Sequence, residues 1–231
     1  ANGSWTANTC MLSKDHPQHG GKKCEKGVSL AQTSSGVNVE SAAYAKALEK
    51  AQSWSQQYAS ADGIPDDKLP ESYDFRNLEG HDMTGPVRDQ QHCGACHTLS
   101  FLQSVEARLN LSGSRVPQLS SQQLLACNYM NEGCEGGWSL FNGYLAENGH
   151  LVSEECAPYR GTTSGDSCKN YASCKPIAKV EDSYYIEVSN SANHVNELKI
   201  MKEMLRNGPV VGEFKAPNKF RYYDKGILAD D

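Results

Sequence analysis

Long apolar runs are missing from this 231-residue chain, and none approaches the ~20 residues that a membrane span needs. An excess of positive charge is missing too: 22 Lys and Arg stand against 28 Asp and Glu, a net charge of -6 with a pI of about 5.7. That balance argues against a nucleic-acid or anionic-membrane partner. There are no internal repeats. Nor does Ala1 begin a basic stretch followed by an apolar one, so any signal peptide is expected to have been removed already. With 38% hydrophobic and 22% charged residues, the composition is that of a globular chain of one or two domains.

Cysteine, by contrast, is plentiful. The nine stand at 10, 24, 93, 96, 127, 134, 156, 168 and 174, most of them among Gly-, Asn- and Ser-rich turns. That spacing has the look of a disulfide framework made in an oxidising compartment. An odd count leaves at least one thiol unpaired, as an accident, an intermolecular link or a working nucleophile. Two glycosylation sequons, at Asn2 and Asn110, fit a secretory route ending in a lysosome, a vacuole-like compartment or outside the cell.

Residues 1–68 differ in character from the rest. The first 38 are polar with little periodicity, Ser41 to Tyr58 reads as a modest helix, and Asp62 to Asp67 reads as a linker. A boundary is expected near Lys68-Leu69. Beyond it, Leu99, Leu102, Val105 and Leu109 make one apolar face of a helix with Cys96 at its N-terminus. Ser120 with Gln123 forms a capping box opening a short helix through Cys127. Trp138 to Glu147 reads as helical. Asn196 to Arg206 is a further helix, with Leu198, Met201 and Leu205 on one face, stopped by Asn207-Gly208-Pro209, and Val210 to Phe214 reads as a strand. Helices first and strands last make an α+β arrangement.

The chemistry concentrates at Cys93-Gly94-Ala95-Cys96. A thiol attacks carbonyls only as its thiolate, which requires lowering an ordinary pKa of about 8.5. The free N–H groups of a helix N-terminus supply part of that, and a histidine partner normally supplies the remainder. A developing oxyanion needs donors, for which the Cys96 backbone N–H and the Gln90 side-chain amide would serve. Taken alone, the C-x-x-C pair reads equally as a structural disulfide, a redox pair or a zinc pair.

Its surroundings change that weighting. Leu69-Pro70-Glu71-Ser72-Tyr73-Asp74-Phe75-Arg76 is similar to the mature start of papain-like cysteine peptidases, and Pro86 to Cys96 resembles their active-site segment. Gly133-Cys134-Glu135-Gly136-Gly137 resembles their glycine-rich substrate wall. Within the family, Cys134 to Gly137, Leu151 to Tyr159 and Tyr222 to Ile227 look like the heavy chain of the cathepsin C (dipeptidyl peptidase I) branch, and Ser4-Trp5-Thr6-Ala7 looks like a piece of its propeptide.

The resemblance implies a papain-like fold, with a pro-region and linker remnant over 1–68 and a heavy chain over 69–231. It implies Cys96 as nucleophile and Gln90 as oxyanion donor, with Gly136 and Gly137 presenting backbone to an extended peptide. Trp138 and Leu140 would border the pocket for the penultimate side chain. It implies the disulfides Cys93–Cys134, Cys127–Cys168 and Cys156–Cys174, leaving Cys10 to pair with Cys24. No metal and no required cofactor follow from it. That branch binds chloride through tyrosines; Tyr185 aligns with one, and Leu140 stands where the other is expected.

Two departures stand out. His97 follows the nucleophile where the family has Trp or Tyr, either as a tolerated change of ring or as a second imidazole that perturbs the thiolate or poises a metal. The catalytic His and Asn of the family follow the Gly208-Pro209 landmark and the strand after it, so a following segment or light chain is expected to supply them. Asn193-His194-Val195 imitates the catalytic motif but precedes that landmark. The expected activity is release of dipeptides from N-termini, with an exclusion domain as a further partner. The alternatives are an endopeptidase and a catalytically silent structural homologue within an assembly, and retained pro-region suggests a zymogen-like form.

Overall fold

The computed structural model describes residues 42–186, 197–213, 220 and 222–224. Five α-helices carry it: α1 (Ala42–Gln57), α2 (Cys96–Leu111), α3 (Ser121–Cys127), α4 (Ser139–Asn148) and α5 (Glu197–Asn207). Short 3-10 turns and extended loops join them. Among the described residues, strand-like pairing is confined to isolated bridges: Leu78 with His81, Leu119 with Ser153 and Leu151 with Ala178.

Helix α2 is the axis on which two cores are built. Its expected stripe of Leu99, Leu102, Val105 and Leu109 is buried throughout. Leu102, Val105 and Leu109 pack with Leu119, Leu124 of α3, Ala146 of α4, Leu151 and Val180. The second core joins Tyr44, Ala47 and Ala51 of α1 to Met83, to Leu111 at the end of α2 and to Ile200, Met204 and Leu205 of α5. Burial of each large side chain contributes about 1.5–3 kcal/mol.

Residues 42–68 share this second core and are tied to it by polar contacts. Tyr44 Oη donates to the Asn110 carbonyl at 3.3 Å and Gln52 Nε2 to that of Leu111 at 3.2 Å. Arg206 of α5 donates to the carbonyls of Tyr58 and Ala59, and Lys202 pairs with Asp66 at 2.5 Å. The partners in α2, Asn110 and Leu111, are its last two residues. A helix of 16 residues is about 24 Å long, so α1 docks at the opposite end from Cys96.

Three expectations are corrected. In α5 it is Ile200, Met204 and Leu205 that are buried, while Leu198 stays 45% exposed and Met201 half-buried. The helix is rolled because it must cover α1 and the loops beside it, which periodicity alone does not reveal. Residues 210–213 are assigned to no strand, since no described segment pairs with them and a strand needs a partner; Phe214 lies outside the described residues. The capping box is half-formed. Ser120 Oγ accepts from Gln123 N–H at 3.0 Å, but the Gln123 side chain turns away to the backbone of His150 and Val152. There it satisfies a buried chain segment instead of the cap.

The end of α5 does follow its sequence. Gly208 adopts φ +97°, and a Cβ there would lie 2.7 Å from Leu111. Its neighbour Pro209 offers its carbonyl to Ser104 Oγ at 2.7 Å and Arg108 Nε at 2.9 Å, fastening this turn to α2. No described helix is long and apolar enough to cross a membrane.

Met204 is 1% exposed between α1 and α5, so Met204→Ala is expected to cost about 2–5 kcal/mol of stability. Leu198→Ala on the same helix should cost under about 0.5 kcal/mol. Urea unfolding midpoints of the two variants check the assignment of the buried face.

Candidate active site

Cys96 opens α2, is exposed, and is the only free cysteine among the described residues. Ala95 precedes it at the N-cap, and no side chain caps the helix. The first-turn amides are therefore not occupied by the Ser, Thr or Asp oxygen that usually claims them, and the positive end of the helix faces the thiol.

The turn that delivers Cys96 is held by contacts of its backbone. Gly94 N–H donates to the Cys134 carbonyl at 2.7 Å, and a Cβ on Gly94 would stand 2.5 Å from that same oxygen. Only glycine permits this approach. The Cys93–Cys134 disulfide closes beside it. The turn bearing Cys96 and the turn at residues 131–138 are thus one covalently joined unit.

Gln90 sits on the exposed loop before this turn. Its carbonyl accepts from Cys93 N–H at 3.3 Å and from Tyr159 Oη at 2.7 Å, while Gln91 takes φ +55° with its N–H bound to Asp89 Oδ1 at 2.8 Å. Upstream, the Arg88 side chain is only 6% exposed, pairs with Glu106 of α2 and donates to the Leu119 carbonyl at 3.0 Å. Burial holds the Glu106 carboxyl above the usual carboxylate range, with Arg88 opposing it. The loop bearing Gln90 is therefore anchored on both sides, leaving its side chain in solvent.

Across from Cys96 lies the glycine-rich turn. Gly136 has φ +125°, and a Cβ on Gly137 would collide with the Asn131 side chain at 2.5 Å. Trp138 is 50% exposed at the head of α4, and Leu140 lines a cavity of about 90 Å³ together with Phe101, Val105 and Tyr184. Tyr185 is half-buried between Tyr184 and Ile186, both of which line that cavity.

His97 is not beside the thiol in function. The ring is buried, 2% exposed, with Nε2 bound to the Gly133 carbonyl at 3.1 Å. Its Nδ1 faces the amides of Asn131 at 3.3 Å and Asn142 at 3.2 Å. Burial lowers its pKa from the ordinary 6.5, with the Gly133 carbonyl offsetting part of that. A ring so engaged is a neutral packing element of the wall, not a second imidazole for Cys96. Among the described residues no cluster of His, Cys, Asp or Glu could hold a metal.

The structure closes Cys93–Cys134, Cys127–Cys168 and Cys156–Cys174, the three pairs named above. Cys10, Cys24, Asn2 and His194 lie outside the described residues. Asn110, the second sequon, lies within the described residues. It is half-buried in the last turn of α2, and its amide donates to the Met83 carbonyl at 3.2 Å. Sequence reading also missed Asn131, Asn142 and Tyr159, which are polar residues in turns and a short helix. Nothing local marks them, because their partners lie 7 to 69 residues away.

Residues 69–231 match the family model of the papain family cysteine proteases. The chain is 36% identical over 163 residues to pro-cathepsin H of Bos taurus, covering 69% of this chain and 45% of that one. It is 34% identical over 188 residues to the thiol protease aleurain-like of Arabidopsis thaliana, covering 80% and 49%. It is 28% identical over 203 residues to cathepsin B-like cysteine proteinase 1 of Haemonchus contortus, covering 72% and 57%. The chain spans about half the length of the curated relatives it matches.

The lowered pKa of His97 carries a sign. Unfolded, the imidazole takes up its proton near pH 6.5, whereas the folded ring resists until lower pH. The unfolded state therefore binds more protons in that window, and stability falls as pH drops below about 6.5. In urea unfolding between pH 7 and pH 5, the native protein should lose stability more steeply than His97→Phe. Parallel slopes would show that the ring is not a buried neutral group.

Proposed function

The chain belongs to the papain family of cysteine proteases, and on that premise we propose that Cys96 is the nucleophile of a peptidase whose base lies outside the described residues. One observation carries this reading: an exposed, unpaired thiol at the uncapped N-terminus of a 16-residue helix, opposite a glycine-rich wall. The thiolate adds to the substrate carbonyl carbon. The oxyanion so formed is met by the Cys96 backbone N–H and the Gln90 side-chain amide. A histidine supplied by a following segment or light chain, oriented by an asparagine, protonates the departing amine. Water then hydrolyses the thioester. No cofactor is called for by these steps.

On this reading residues 1–68 are a pro-region and linker remnant and 69–231 a heavy chain. The described part of that remnant docks far from Cys96 and leaves the thiol uncovered, which fits a form in which it is retained. The three disulfides support passage through an oxidising compartment, and a lysosomal or secreted destination is part of the proposal. The finer reading is release of dipeptides from free N-termini. It is supported by the likeness of Cys134 to Gly137, Leu151 to Tyr159 and Tyr222 to Ile227 to the cathepsin C branch. An exclusion domain would then be the partner that holds the substrate amine.

A peptidyl epoxide should label Cys96 in the native material and fail on Cys96→Ala, with a His- and Asn-bearing segment or chain found alongside by sequencing. Absence of labelling under reducing conditions would remove the peptidase reading. Gln90→Ala is expected to lower kcat by about 10²–10³ with KM little changed. Free and N-acetylated peptides separate the finer readings: dipeptides should appear only from the free ones, and internal cleavage of the blocked ones would identify an endopeptidase instead.

A further inference from the structure

The contacts of His97 are the centre of a polar network that reaches the substrate wall. Nε2 faces a carbonyl, Gly133 O, which can only accept, so the proton sits on Nε2. Nδ1 must then accept, and the amide groups of Asn131 and Asn142 both point their NH₂ at it. Asn142 is fully buried, and its Oδ1 accepts from Asn128 at 2.9 Å and from Asn131 at 3.0 Å. Its own NH₂ also donates to the His97 carbonyl at 2.9 Å.

The outer end of this network is a clamp. Asn131 Oδ1 accepts from Trp138 N–H at 2.8 Å, and Asn131 Nδ2 donates toward the Trp138 carbonyl at 3.3 Å. One side-chain amide thus holds both backbone groups of Trp138 as a neighbouring strand would. Gly137 lacks a Cβ where one would strike this same amide at 2.5 Å. The orientation of Asn131 is fixed from behind by two acceptors for its NH₂, Asn142 Oδ1 at 3.0 Å and His97 Nδ1 at 3.3 Å.

We infer that His97, Asn131 and Asn142 are positioning residues that set the backbone of Gly137 and Trp138 for binding an extended peptide beside Cys96. This rests on the peptidase reading above. The residues touch no reacting atom; they act through the wall. The order of donors and acceptors leaves little choice of arrangement. Were the Asn131 amide reversed, its NH₂ would face the Trp138 N–H and its oxygen the Trp138 carbonyl, and the clamp would be lost.

Two reagents separate wall from thiol. Iodoacetamide needs only the Cys96 thiolate, whereas a peptidyl epoxide must lie along the wall. Asn131→Ala in the otherwise native protein should leave the iodoacetamide rate within about twofold. It should slow the peptidyl epoxide about tenfold, the effect of losing two hydrogen bonds, and through the saturation constant more than the maximal rate. His97→Phe should behave like Asn131→Ala. His97→Gln keeps a donor for Gly133 O and an acceptor for the two asparagines, so it should restore most of the epoxide rate. It also gives the answer if Asn131→Ala does not fold. Equal slowing of both reagents, no slowing of either, or no difference between His97→Phe and His97→Gln would overturn the assignment. A native protein that reacts no faster with the epoxide than with iodoacetamide would remove the peptidase reading, and this one with it.

Discussion

Everything near the thiol depends on the contact of the Gly94 backbone with the Cys134 carbonyl. The hydrogen bond of 2.7 Å and the adjoining Cys93–Cys134 disulfide bind two turns that lie 41 residues apart in the chain. The Cys96 turn therefore cannot shift without carrying the glycine-rich turn along. A side chain at position 94 would stand 2.5 Å from a backbone oxygen, which has no rotamer by which to retreat. Helix α2 grows out of this joint, with one core packed along its length and the other at its C-terminal end.

Polar burial does the remaining positioning. Arg88 and Glu106 lie beneath the loop that bears Gln90, and Arg108 and Glu203 beneath the turn at Pro209, the latter pair also bonded to Tyr184 and Asn207. Such groups cost free energy unless every partner is in place, so each pair tolerates few alternative arrangements. The network around His97 works the same way with neutral groups. A ring that a sequence reader sets beside Cys96 becomes part of the wall, because adjacent helix positions point about 100° apart.

The apolar pattern carried much of the fold. The α2 stripe, the Ser120 cap and the Gly208 stop are local features whose physics is complete within one turn of chain, and the structure places them accordingly. The α5 face, the Gln123 side chain and the unpaired segment at 210–213 were not legible in the same way. Each is decided by what packs opposite: α1 for the helix, the His150–Val152 backbone for the glutamine, a partner for the strand.

Sequence by itself determined the chemistry on offer: an odd cysteine at a helix start, a glutamine six residues earlier, glycines where backbone must be reached, and a cysteine-rich chain of net charge -6. Tertiary structure alone decided which cysteine is exposed, that α1 docks at the far end of α2, that Asn110 is engaged and that His97 faces the wall. The reason is physical. Residue types fix what a group can donate, accept or bury, but partners 11 to 148 residues away fix which of those capacities is used.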